Sequence, residues 1–146
     1  LELLLCCDII LAAEGAKIGD GHARYGIVPA GGATVRIGER ISPSRAAQLF
    51  YTASLVDAET LADWGLVNEI LPRDRLLERA LQIATDICKC SPEVVRHIKA
   101  LTGRHAASLD RAVRLRAEIA RTKAHVHGND LPKGLKAFRS KAPPHY

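Results

Sequence analysis

"DAETLADWGLVNEILP", residues 57–72, contains a helix and a strand in sixteen residues. Asp57 is a side chain suited to cap a helix, and the run to Trp64 stops at Gly65, the residue type that ends helices in the left-handed conformation. Leu66-Val67-Asn68-Glu69-Ile70-Leu71 then reads as a strand closed by Pro72. A capped helix feeding a short apolar strand belongs to an α/β architecture.

The same reading extends toward the N-terminus. Ser42-Pro43 is a helix start, serine as N-cap and proline at the first helical position, with Ala46, Ala47, Leu49 and Phe50 on the apolar side. Before it lies a glycine-rich loop, "GDGHARYGIVPAGGATVRI" (residues 19–37), whose Gly31-Gly32 leads into a helix through about Arg40. Asp8–Ala12 and Ala16–Ile18 are expected as short strands separated by the turn residues Glu14 and Gly15, and residues 1–7 as the end of a buried helix.

Beyond Pro72 the pattern is helical. Leu76, Ala80, Ile83 and Ile87 share one face. Ser91-Pro92-Glu93 restarts a helix that buries Val94, Ile98 and Leu101. A long helix from Ser108 carries Ala112, Leu115, Ile119 and Val126 inward, with Arg111, Arg114, Arg121 and Lys123 elsewhere on its circumference. Gly128-Asn129-Asp130 breaks it before a last helix ending near Lys141. The expected division is an α/β core over 1–72 and a helical region over 73–146.

The totals bound the function. At 146 residues, 47% hydrophobic and 25% charged, the chain is one domain's worth of globular composition. No apolar run approaches the roughly 18–20 residues of a membrane span, and the leucine-rich start, interrupted by Glu2 and Asp8, is a poor signal peptide. Cys6, Cys7, Cys88 and Cys90 have neither metal-knuckle nor disulfide-framework spacing; they read as free thiols, which makes the cytoplasm the expected compartment. A net charge of +5 permits an anionic partner, yet 4% aromatic residues and the lack of a nucleic-acid motif argue against base stacking. His125 and His127, two residues apart, point in different directions on a helix, so no metal site is expected there. No phosphate-cradling glycine motif is present. The chain has no methionine and opens within an apolar stretch, so it reads as the later part of a longer chain.

Four segments together resemble the enoyl-CoA hydratase/isomerase (crotonase) family. They are Leu1-Glu2-Leu3 with Cys7-Asp8-Ile9-Ile10 and Ala12-Ala13-Glu14; Tyr25-Gly26-Ile27-Val28-Pro29-Ala30-Gly31-Gly32; the opening stretch 57–72; and Gly134-Leu135-Lys136-Ala137-Phe138-Arg139-Ser140-Lys141. Their order covers essentially the whole chain and corresponds to roughly the family's second half. The resemblance implies the C-terminal portion of the ββα spiral of the ClpP/crotonase fold, followed by a helical trimerisation region. It also implies a homo-trimer or hexamer, an acyl-CoA substrate, and no cofactor beyond the coenzyme A that the substrate carries. The family's two backbone donors to the thioester oxygen would lie upstream of residue 1. Such donors are usually the largest catalytic contribution, about 10²–10³ in rate for one donor in a protease.

The resemblance assigns Glu2 to the first catalytic glutamate of the hydratases and places His22 where they carry the second. Hydration of a C=C bond needs one group to activate water and one to handle the proton at the α-carbon. An imidazole can serve as well as a carboxylate. Gly31 and Gly32 match a glycine pair passing under the acyl group, and Phe138 and Lys141 match residues that approach CoA. Each has a plainer reading: Glu2 as an exposed terminal carboxylate, His22 as a loop residue, the glycines as a turn, Lys141 as a solvated helix residue. Hydration or dehydration of an enoyl-CoA is the first expectation, with isomerase or CoA-ester hydrolase activity kept open by the histidine. A non-catalytic assembly partner is the alternative of a different class.

Overall fold

The chain enters its first sheet at Ile10, whose N–H donates to the Asn68 side-chain oxygen at 2.8 Å while its carbonyl accepts from the Asn68 N–H at 2.8 Å. The computed structural model describes residues 1–102, 110–142 and 144–145, and the chain divides into two units, Leu1–Ala80 and Leu81–Tyr146.

In the first unit, β1 (Leu11–Ala13) pairs in parallel with β4 (Glu69–Leu71), and β2 (Lys17–Gly19) pairs antiparallel with β3 (Leu55–Asp57). The first strand starts later than the sequence pattern suggests because the Asn68 side chain, rather than a ladder partner, takes the Ile10 N–H. The strand β3 has no counterpart in the sequence reading. It is three residues long, and its last residue, Asp57, is also the N-cap of the next helix. The Asp57 carboxylate makes no capping bond; it pairs with Lys17 across the ladder at 3.4 Å.

Three helices complete this unit: α1 (Ala33–Ile37), α2 (Pro43–Thr52) and α3 (Ala58–Asp63). The first is shorter than the stretch to Arg40 that its sequence suggested. The end of α3 shows why Gly65 is glycine. Its φ is +88°, its N–H donates to Ala62, and the Leu66 N–H donates back to Leu61. That is the paired six-to-one and five-to-two closure of a Schellman cap, with Leu61 and Leu66 both buried against the core. Leu5, Ile10, Ala12, Ala33, Ile37, Leu49, Ala58, Leu61 and Leu66 form one buried cluster, against which Phe50, Trp64 and Ile70 pack. Instead of a buried helix end, the N-terminal segment forms a single 3₁₀ turn, Leu4–Cys6, inserting only Leu5 fully into the core.

The division falls within α4 (Leu76–Cys88). The second unit continues with α5 (Pro92–Thr102), α6 (Arg111–Val126) and α7 (Asp130–Ser140). Ser91 caps α5, accepting from the Val94 N–H at 3.1 Å and donating to the Asp130 carboxylate at 2.5 Å. Asp110 caps α6 by accepting from the Ala112 N–H at 2.8 Å. Ser108, the expected start of that helix, lies outside the described residues, as do the side chains of Arg111 and Arg114. The helical periods are as read, yet Ala112, Leu115, Ile119 and Val126 are exposed, and so is Ile98. Among the described residues, Val94 and Leu101 are half-buried while the rest of these stripes stands exposed. Among the described residues no helix is long and apolar enough to cross a membrane. All four cysteines are free and exposed.

Candidate active site

Glu2 and His22 reach the same place by two separate routes. Glu2 sits in the turn before the Leu4–Cys6 helix, where Leu5 donates its N–H to the Leu1 carbonyl at 3.0 Å and anchors the turn in the core. The Arg40 guanidinium closes the far side of that turn by donating to the carbonyls of Cys7 and Asp8. His22 opens a second 3₁₀ turn, His22–Tyr25, just past the end of β2. There is no room for a side chain at Gly19, the last residue of that strand: a Cβ would run into the Ser54 carbonyl and lie 3.1 Å from the Leu55 Cα. The close approach of β2 to β3 therefore fixes where residue 20 leaves the sheet.

Residue 20 is an aspartate, and the sequence reading passed over it. Its side chain is 1% exposed. One carboxylate oxygen accepts from the His22 backbone N–H at 3.0 Å, and both oxygens lie 3.0 Å from the imidazole Nδ1. The first of these bonds is an Asx turn, legible in Asp20-Gly21-His22 had the stretch been read for local side-chain bonds. Burial was not legible, because a local pattern does not record what covers a side chain.

A carboxylate oxygen of Glu2, one of Asp20 and a ring nitrogen of His22 all lie within 4.8 Å of one another. Among the described residues this is the one group of three potential metal ligands. His22 is 36% exposed and Glu2 35%, so the pair stands at an open surface over a buried aspartate. The Glu2 carboxyl is held below the usual carboxylate range, chiefly by a hydrogen bond from its own backbone N–H. Desolvation and the Asp20 charge oppose it. At neutral pH Glu2 is thus ionised.

The glycine pair lies beside Glu2. At Gly31, φ is +63° and a Cβ would meet the Glu2 Cγ at 3.0 Å, so this position is glycine on both conformational and steric grounds. Gly32, at φ +80°, lies beneath the Arg36 guanidinium, which donates to the Gly31 carbonyl at 2.5 Å. Arg36, also unmarked in the sequence reading, pins this loop.

Phe138 and Lys141 belong to the second unit. Phe138 is 83% exposed on α7, and Lys141 is the left-handed C-cap of that helix at φ +52°. A groove of about 730 Å³ on this unit is lined by Val126, Leu131, Leu135, Lys136 and Arg139, with neither Phe138 nor Lys141 in its wall. His125 faces Glu93, with its Nδ1 3.7 Å from the carboxylate, and its ring meets that of His97 edge to face at 5.8 Å.

Comparison with known proteins adds the family. The family model described as enoyl-CoA hydratase/isomerase matches residues 1–146. The mitochondrial methylglutaconyl-CoA hydratase of Mus musculus is 32% identical over all of this chain and 48% of its own length. The crotonyl-CoA hydratase of Syntrophomonas wolfei is 35% identical over 80% of the chain and 45% of its own length. The crystal structure of an enoyl-CoA hydratase from Bacillus anthracis superposes with a TM-score of 0.92 at 32% identity, over 97% of this chain and 55% of that one. The chain thus spans about half the length of the relatives it matches, and its fold is a partial crotonase fold.

Proposed function

The chain belongs to the enoyl-CoA hydratase/isomerase family, and from that membership we propose that it works in the hydration and dehydration of an enoyl-CoA thioester, with Glu2 and His22 as the acid/base pair. The observation that carries the reading is their convergence: residues far apart in the chain bring a carboxylate and an imidazole within 4.8 Å over Gly31. Both curated relatives described above are named as CoA hydratases.

In the hydration direction, ionised Glu2 accepts a proton from water as its oxygen adds to the β-carbon. Protonated His22 delivers a proton to the α-carbon. The product is the β-hydroxyacyl thioester, and a proton passing from Glu2 to His22 restores the pair. Dehydration runs the same transfers backward, with Glu2 then the acid and His22 the base. The Gly31-Gly32 backbone passes beside Glu2, where relatives run it under the acyl group; in the second unit, Phe138 and Lys141 match residues that approach CoA in relatives, a lysine meeting phosphate as a point charge. Isomerisation of a double bond uses the same pair without net addition of water.

The test follows the ultraviolet absorbance of the conjugated thioester as it is lost. Glu2→Gln and His22→Ala each lower kcat by about 10²–10⁴, the usual contribution of a positioned acid or base. Unchanged rates in both variants overturn the assignment.

A second reading, an assembly partner without turnover of its own, draws on the exposed Leu115, Ile119 and Val126 of α6. Stripes of this kind suit burial against further copies of the chain, in a trimer or hexamer. Light scattering tests the assembly, since a particle that stays at 15.8 kDa excludes it, and the absorbance assay tests the turnover.

A further inference from the structure

Resting on the reading of Glu2 and His22 as the pair, we propose that Asp20 is a positioning residue that fixes the tautomer and direction of the His22 ring, so that all proton traffic runs through Nε2. A buried carboxylate carries a desolvation penalty of several kcal/mol unless its charge is used. Asp20 is 1% exposed, and among the described residues no lysine or arginine pairs with it; its partners are the backbone N–H and Nδ1 of His22. If the Asx turn were its whole purpose, an asparagine would make the same bond without a buried charge. The second oxygen, 3.0 Å from Nδ1, is what an asparagine could not supply.

An ionised carboxylate only accepts, so Nδ1 must donate. The neutral ring then has its lone pair on Nε2, and the protonated ring has its transferable proton there. Rotation of the ring is blocked on the same side, because Oδ1 also holds the His22 N–H. Glu2 joins this arrangement as the third member, not as a ligand of Nδ1. The site is therefore a carboxylate facing an aspartate-held imidazole, not two interchangeable acids. The same logic operates in serine proteases, where asparagine in place of the aspartate lowers kcat by about 10⁴.

The first measurement needs no turnover: ¹⁵N spectra of the His22 ring in the chain itself. The expected neutral ring carries its proton on Nδ1, and Asp20→Asn moves it toward Nε2. A wild-type ring protonated on Nε2 overturns the proposal, whether or not the variant folds. In the form of the protein that turns over enoyl-CoA, Asp20→Asn should lower kcat about 10²–10⁴-fold at nearly constant KM. Asp20→Asn added to His22→Ala should cost nothing more, since Asp20 acts through the ring. A further loss in that double variant, or an unchanged kcat in Asp20→Asn where His22→Ala is slowed, also overturns it. Were Glu2→Gln and His22→Ala both silent while the spectra show the Nδ1–H ring, the acid/base reading would fall and the structural inference would stand.

Discussion

The first 80 residues bury a continuous core, whereas among the described residues from 81 onward the buried side chains are Ser91 and Ala137. Composition does not explain the contrast, since both regions are rich in leucine, isoleucine and alanine. The first region folds strands and short helices around Leu5, Ile37, Leu49, Leu61 and Leu66, so its apolar groups satisfy one another. The second presents amphipathic helices whose stripes are left open. Its helices are secured locally, by the Ser91 and Asp110 caps, and among the described residues much of their apolar faces is exposed. One region closes its apolar groups around a core; the other leaves them open.

The strongest way to break this contrast is through function. Glu2→Gln or His22→Ala should remove 10²–10⁴ of turnover while leaving any assembled mass unchanged, because both side chains lie at an open surface of the first region. Activity by absorbance and mass by light scattering, on the same samples, read the two separately.

Stability sharpens the contrast next. Leu61→Ala, at a fully buried position, should cost about 2–5 kcal/mol in denaturant unfolding. Ile119→Ala, on the open stripe of α6, should cost under about 0.5 kcal/mol in the dissociated chain and more only where copies associate. Equal losses at the two positions would erase the distinction.

Gly31→Ala should cost about 1–2 kcal/mol from its left-handed backbone, and should also displace Glu2 and lower kcat. A variant with normal kcat would show that the contact with Glu2 does not matter.

The smallest effect is electrostatic. Arg79 holds Glu69 by two bonds of 2.7 Å and keeps its carboxyl below the usual range. A lowered folded pKa stabilises above the unfolded value, near 4.3, and that stability is lost as pH falls through the folded one. The unfolding midpoint of Glu69→Gln should therefore lie below wild type at neutral pH and converge with it below about pH 4. A gap that persists in acid would rule out the ion pair as its source.

The sequence made parts of this legible where the information is local. The α3–β4 passage, with its glycine stop, needs only neighbours in the chain, and so do the Ser42-Pro43 and Ser91-Pro92 starts. Non-local pairing was not legible: β3 is three residues long, and only β2 shows that it is a strand. The site divides in the same way. Glu2 and His22 could be singled out by resemblance, but Asp20 acquires its meaning from its burial and its contact with the His22 ring, which no local pattern records. The open faces of α5 and α6 were read as inward because periodicity reports which residues share a face, not what lies against it.

The pairing of β1 with β4 sets an order of events. It joins Leu11 to Glu69 and Ala13 to Leu71, so more than fifty intervening residues must be brought round before its first bond can form. Closing a loop of that length carries its entropic cost before any reward, whereas the helices beyond residue 80 need only near neighbours. On refolding, helical circular dichroism should rise early, and the fluorescence of Trp64, the only tryptophan, should change later, when the core it packs against forms. The site, hung between the first turn and the end of β2, takes its place only once β2 has paired with β3.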